Sequence, residues 1–177
     1  MEIGKIAFLE TYSLEDNGGV MGAILVTDAD TKPLEFRVTA PIKPTAFQKT
    51  LYGDVLLEHV LVELISVPLL NAINEQIDII LVKDPLFLGA NTKQAIRVVR
   101  VSNDEKNKSK TGSKVEEIKS TDASGEKLYL ETYKKFESEL QGIRENLEKV
   151  AEHRNLIEPF ERLRVACEQV QSQRTND

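Results

Sequence analysis

The 177 residues hold one cysteine, Cys167, and two histidines, His59 and His153. A single thiol excludes an internal disulfide framework. Ligands so few and so far apart also exclude a zinc site of the usual kind within one chain. Tryptophan is absent, and six Phe and four Tyr are too few for an aromatic platform that stacks single strands. Basic charge is in deficit. Twenty-three Lys and Arg stand against 29 Asp and Glu, a formal net charge of −6. Broad charge-driven binding to nucleic acid needs the opposite balance, although a local basic patch remains compatible with it. No unbroken apolar run approaches about 18 residues, so no membrane span is expected. The start, MEIGKIAFLE, lacks the charged-then-apolar-then-small order of a secretory signal, so a cytosolic location is the expectation. GGVMG has no following Lys-Ser/Thr and is not a phosphate loop.

What is present divides the chain into three parts. Residues 1–102 are rich in Val, Ile and Leu and read as a mixed α/β core domain. Residues 103–127 hold almost no large apolar side chain and read as a flexible polar linker. Residues 128–177 carry helical spacing.

In the first part, IGKIAFLETYS, GGVMGAILVTD and PLEFRVTA are strands separated by turn signals at Asn17-Gly18-Gly19 and at DADTKP, residues 28–33. Short connections favour an antiparallel meander. GAILV is apolar on both faces and belongs in the middle of the sheet. Pro41 and Pro44 end the third strand, and Thr45 suits an N-cap. Phe47, Leu51, Val55, Leu56, Val60, Leu64, Val67, Leu70 and Ile73 then fall at helical spacing, broken at Gly53 and disturbed at Pro68. So many apolar positions predict a helix buried on more than one side. IDIILVKDP reads as an interior strand and AIRVVRV as another. The fold class is therefore α/β, an α+β mixed sheet in the order β-β-β-α-β-β, followed by the linker and a C-terminal helical hairpin or kinked coiled-coil-like helix.

Tyr133, Phe136, Leu140, Ile143, Leu147 and Val150 are spaced alternately three and four apart, a heptad seam. The expectation is two helices, about 128–154 and 158–173, that dock on the sheet, form a hairpin or pair with another chain.

Two sets of side chains are candidates for chemistry. The first is the polar row of PLEFRVTAPIKPT. Glu35, Arg37 and Thr39 alternate with apolar partners, and Lys43 follows. A wet sheet face is the ordinary reading, and a ligand-binding row the sharper one. Arg37, Lys43 and Lys49 also form a candidate basic patch for a nucleic-acid accessory protein. Asp28 and Asp30 of DADTKP suit a hairpin turn, since the loop lacks the Gly and terminal Glu of a calcium site. His59 and His153 have no ligand partner at suitable spacing, and Cys167 falls on an apolar seam where a small hydrophobe belongs.

The second set comes from a resemblance. Three antiparallel strands, a helix and a parallel strand ending in an acid resemble the leading half of the ribonuclease-H-like arrangement, in strand order, over roughly residues 3–102. The resemblance implies acids on the first strand, the helix and the end of the fourth strand that hold two divalent metals for phosphodiester cleavage. The matching positions are Glu10, Glu58 and Asp84, with Glu10 where that family has an aspartate.

The leading expectation from sequence is nonetheless a non-enzymatic interaction module of a larger cytosolic assembly. Residues 128–173 would mediate self-association or a protein contact, with no cofactor and no metal. The alternatives are a ribonuclease-H-like nuclease using Glu10, Glu58 and Asp84 with a divalent metal, and a nucleic-acid-binding accessory protein.

Overall fold

The computed structural model describes residues 2–104, 113–119 and 126–175. A seven-stranded mixed sheet runs through it in the order β3-β2-β1-β4-β5-β7-β6. The strands are β1 (Lys5–Ser13), β2 (Val20–Asp28), β3 (Pro33–Val38), β4 (Ile79–Val82), β5 (Val98–Ser102), β6 (Val115–Lys119) and β7 (Lys127–Thr132). β1, β2 and β3 form the antiparallel meander, and β4 and β5 run parallel to β1. The first five strands thus carry the expected mixed α/β order.

Side-chain alternation sorts the sheet into two faces. Ile6 and Phe8 of β1 join Leu25, Leu81 and Val99 in one cluster, while Ala7 and Leu9 join Ile24, Ile80 and Val98 in the other. The second face is covered by one helical run, Ala46–Ala72. It comprises α1 (Ala46–Tyr52), a 3-10 turn at Gly53–Val55, α2 (Leu56–His59), a π-helical stretch Val60–Ser66 and α3 (Val67–Ala72). Thr45 and Gln48 close a capping box at its start. Gly53 adopts φ +53°, a left-handed value that glycine takes without strain, and breaks α1 as its position suggested. The π-stretch ends just before Pro68, which has no N–H to give, and the Ser66 hydroxyl donates to the Leu61 carbonyl at 2.7 Å inside it.

The run is long and apolar enough, by length and composition, to cross a membrane. The expectation of no span rested on the lack of an unbroken apolar run; here sparse charge lets an 18-residue window reach a mean hydropathy of 1.7. Its middle is nevertheless a core helix, with Val60, Leu61, Val62 and Ile65 packed on the sheet.

The opposite face is covered by α4 (Leu140–Ala151) and α5 (Glu158–Thr175). Leu140, Ile143, Leu147 and Val150 are buried among strand residues of the same chain, as are Phe160, Leu163 and Cys167. Phe160 meets Phe8 edge to face, ring centroids 5.4 Å apart. Arg162 donates to the Thr31 carbonyl and Arg154 to the Asp30 carbonyl, tying this layer to the β2–β3 turn. The seam is real, but its partner is the chain's own sheet. Self-association through residues 128–173, and the coiled coil with it, are corrected accordingly.

Two further expectations change. Residues 128–154 are not one helix, because KLYLET forms β7, with Leu128 and Leu130 inward. Tyr133 and Phe136 lie in and beside a 3-10 segment, Lys134–Glu139, that only leads into α4. Within the stretch read as a linker, Val115–Lys119 is a strand paired with β7, and Ile118 is fully buried. Residues 105–112 and 120–125 of that stretch lie outside the described residues.

Candidate functional site

The sheet has one topological switch point. From β1 the chain builds outward through β2 and β3; β4 then returns to the other flank of β1, and β5 lies beyond it. In open α/β sheets the crevice at the carboxyl ends of strands flanking such a point is the natural ligand site. Here the flanking strands are β1 and β4, paired in parallel from Ile6–Ile79 to Leu9–Val82. The next residues along each strand are Glu10 and Lys83, followed by Thr11 and Asp84.

Glu10 continues the Ile6–Phe8 series and so points to the α5 side. Burial pushes its carboxyl above the ordinary carboxylate value, and neighbouring Asp84 adds to this. The Thr11 N–H, 3.1 Å away, and the Lys83 charge pull it back down. Cys167 of α5 lies near it, and its thiol is pushed up to about 11 by burial and then by the Glu10 charge. Such a thiol is not an activated nucleophile. Lys83 extends toward the same side, its Nζ 5.8 Å from the centre of the Phe160 ring. A shifted carboxyl beside a lysine in a strand-end crevice is a feature that working sites share.

The direction of the Glu10 shift gives a first expected result. A carboxyl whose folded pKa is raised contributes its stability below the unfolded value and loses it as pH rises through the folded value. Wild type should therefore lose stability as pH climbs above 4.5, the unperturbed value. Glu10→Gln, which cannot ionise, should show a flatter profile there and be at least as stable at neutral pH. Thermal unfolding across pH 4–8 checks it; identical profiles would remove the buried-carboxyl assignment.

The three carboxylates expected for a metal pair do not come together. Glu58 belongs to α2 on the other side of the sheet, its Oε1 against Gly89. There it lines a cavity of about 270 Å³ with His59, Glu63 and Lys93. Asp84 caps the 3-10 segment Pro85–Thr92, accepting from the Leu86 N–H at 2.9 Å. Among the described residues, no three His, Cys, Asp or Glu side chains are grouped to hold a metal ion. Glu10, Glu58 and Asp84 therefore do not fit the two-metal centre that the resemblance implies. The physical reason is register: Glu10 falls on the even face of β1, while the helix that carries Glu58 covers the odd face.

The polar row is largely occupied by structural work. Glu35 accepts from the Asn74 and Glu75 N–H groups at 2.8 and 3.0 Å and from Arg37 Nε at 2.6 Å, pinning the segment after α3 to the edge strand β3. Desolvation raises its pKa, but these three donors together hold it below the ordinary value. The Thr39 hydroxyl accepts from the Gly22 N–H at 2.9 Å. Arg37 and Thr39 also line an open cavity of about 640 Å³ with Phe36, Ile42, Leu64 and Leu69, which Glu35 and Lys43 do not reach. Asp28 Oδ1 accepts from the Asp30 and Lys32 N–H groups, both at 2.9 Å, which closes the DADTKP turn. His59 stacks on Tyr52, centroids 4.5 Å apart. Sequence reasoning missed Lys83. Its signal was the Lys-Asp-Pro that ends a buried parallel strand.

No protein-family model matches the sequence, and no curated protein matches it. Among solved structures, the chain is similar to endonuclease V from Streptomyces avermitilis at 11% identity, over 73% of this chain and 65% of that one, with a TM-score of 0.47. It is similar to endonuclease V from Ciona intestinalis, solved with a DNA containing an inosine followed by a ribo-adenosine, at 11% identity, 75% and 72% coverage and a TM-score of 0.40. The endonuclease V of Bacillus subtilis follows at 16% identity, 73% and 65% coverage and a TM-score of 0.37. The chain thus spans 65% of the length of the Streptomyces and Bacillus enzymes. The non-enzymatic interaction module is corrected on the structure: the helical seam on which that reading stood is buried within the chain itself.

Proposed function

We propose that this chain acts on nucleic acid from the carboxyl edge of β1 and β4. The observation that carries the reading is the placement of Glu10, Lys83 and Asp84 together at the switch point of a sheet with ribonuclease-H-like strand order. Lys83 is exposed and supplies the cation that a phosphate requires. Arg37 is held by Glu35, which leaves the basic patch first read from sequence a weaker phosphate site than this edge. With a net charge of −6, the contact is local and short, and its affinity falls with added salt.

A second reading, cleavage of the bound strand, is favoured by one observation. The half-buried Glu10 carboxyl, raised by desolvation and by neighbouring Asp84, is placed where a group that gives or takes a proton would be needed. No step through a metal is built on the trio of carboxylates, for the reason of register given above.

Both readings are tested in one set of samples. Fluorescence anisotropy follows labelled single-stranded and duplex DNA and RNA, one strand carrying an inosine, at two salt concentrations. Gels of the same mixtures, with Mn²⁺, Mg²⁺ or EDTA, score cleavage. Lys83→Ala should weaken binding and lower the log–log salt slope by about 0.9, the loss of one phosphate contact. Binding that ignores both Lys83→Ala and salt would overturn the proposal. Cleavage lost in Glu10→Gln and kept in Glu58→Gln would establish the second reading.

A further inference from the structure

The amino-terminal part of the covering helix leaves the core. From Ala46 to His59, through α1, the 3-10 turn and α2, no residue is buried. Phe47 is 70% exposed, Leu51 65%, Val55 59% and Leu57 54%. Phe47 and Leu51 lie four apart on one face of α1, and Val55 and Leu57 follow beyond the Gly53 break. A helix of this length is marginal in water without packing on its apolar face. Contiguous exposed apolar surface of this kind marks an interface.

We propose that the arm is a homodimer interface, in which two copies pair antiparallel about a two-fold axis between Leu51 and Tyr52. The charges select a second copy as the occupant. Lys49 is the one lysine or arginine in Ala46–Ala72, and Asp54 follows five residues later. Neither has an ion-pair partner among the described residues. A two-fold axis makes every contact reciprocal. Placing Lys49 opposite the partner's Asp54 places Asp54 opposite the partner's Lys49, with Leu51 and Tyr52 between them. One surface thereby complements itself, as an isologous interface must. The rim charges set register and the apolar centre supplies affinity. The acids of this helix, Asp54, Glu58 and Glu63, disfavour a nucleic-acid backbone or an anionic lipid surface here.

Sedimentation equilibrium of the full chain is the test. Wild type is expected at twice the chain mass at micromolar concentration. Leu51→Asp should raise the dissociation constant more than about tenfold. Its thermal unfolding in the monomer range should be unchanged, since Leu51 touches no core. Lys49→Glu and Asp54→Lys should each weaken the dimer, and the double swap should restore it, a recovery that a foreign partner or a bilayer does not produce. A monomeric wild type overturns the proposal, as does a dimer indifferent to Leu51→Asp or a double swap without recovery. Flotation of a monomeric wild type with phosphatidylcholine vesicles, lost in Leu51→Asp, overturns it in favour of a lipid surface.

Discussion

Leu147→Ala should lower the unfolding free energy by about 2–5 kcal/mol while leaving the oligomeric mass where it was. Leu147 is fully buried, the third position of the α4 seam, among side chains of the sheet and α5. Its removal takes apolar surface out of a packed interior and leaves a space that the rigid sheet refills only in part. Urea unfolding at two protein concentrations reads both quantities. The midpoint should drop equally at each concentration. A seam that paired between chains would behave differently: its loss would move the midpoint by an amount that changes with concentration and would lower the mass in solution. Leu147→Ala thus separates a seam buried in the chain from the coiled coil its spacing suggested.

Gly22→Ala is the second large effect. Gly22 sits on β2 opposite Thr11, on the face crossed by the π-helical stretch. A methyl group there would stand 2.2 Å from Ile65 Cγ2 and 3.0 Å from its Cγ1, distances that a packed side chain cannot hold. Ile65 is itself fully buried, so it has nowhere to swing. The Gly22 N–H is also bonded to Thr39, which limits the backbone's retreat. Overpacking of this kind costs roughly 1–3 kcal/mol. Ile65→Ala removes both clashing carbons and alone costs about 2–5 kcal/mol as a cavity. The double variant should be less damaged than the sum of the two, by more than about 0.5 kcal/mol, because each change accommodates the other. Strict additivity in urea unfolding would mean that helix and sheet do not touch at this point.

The parts of the molecule that sequence revealed are those set by local chemistry. The first three strands, their turns, the Thr45 cap, the Gly53 break and the apolar run of β4 follow from neighbours a few residues apart. β6 and β7 did not, because five- and six-residue strands flanked by polar residues gain their meaning only from β5, which is distant in sequence. The α4 spacing told of a buried stripe but was silent on what buries it. The converse error concerns the long helix, whose dense apolar positions suggested burial throughout, while Phe47, Leu51 and Val55 stand in solvent.

The site shows the same division. Glu10 and Asp84 were visible as acids near strand ends. The meeting of Glu10 with Lys83 and Asp84 depends on parallel pairing between strands far apart in sequence, Leu9 beside Val82. The separation of Glu58 from Glu10 depends on which face of β1 the helix covers, and a single-residue change of register decides that.

Photo-crosslinking a labelled oligonucleotide to the full chain, followed by mapping of the attached peptides, addresses the proposed edge directly. The expected result is attachment at the carboxyl ends of β1 and β4, within residues 10–13 and 83–86, reduced in Lys83→Ala. Attachment confined to the Ala46–His59 arm or to the edge strand β3, with those two segments unmarked, would contradict it.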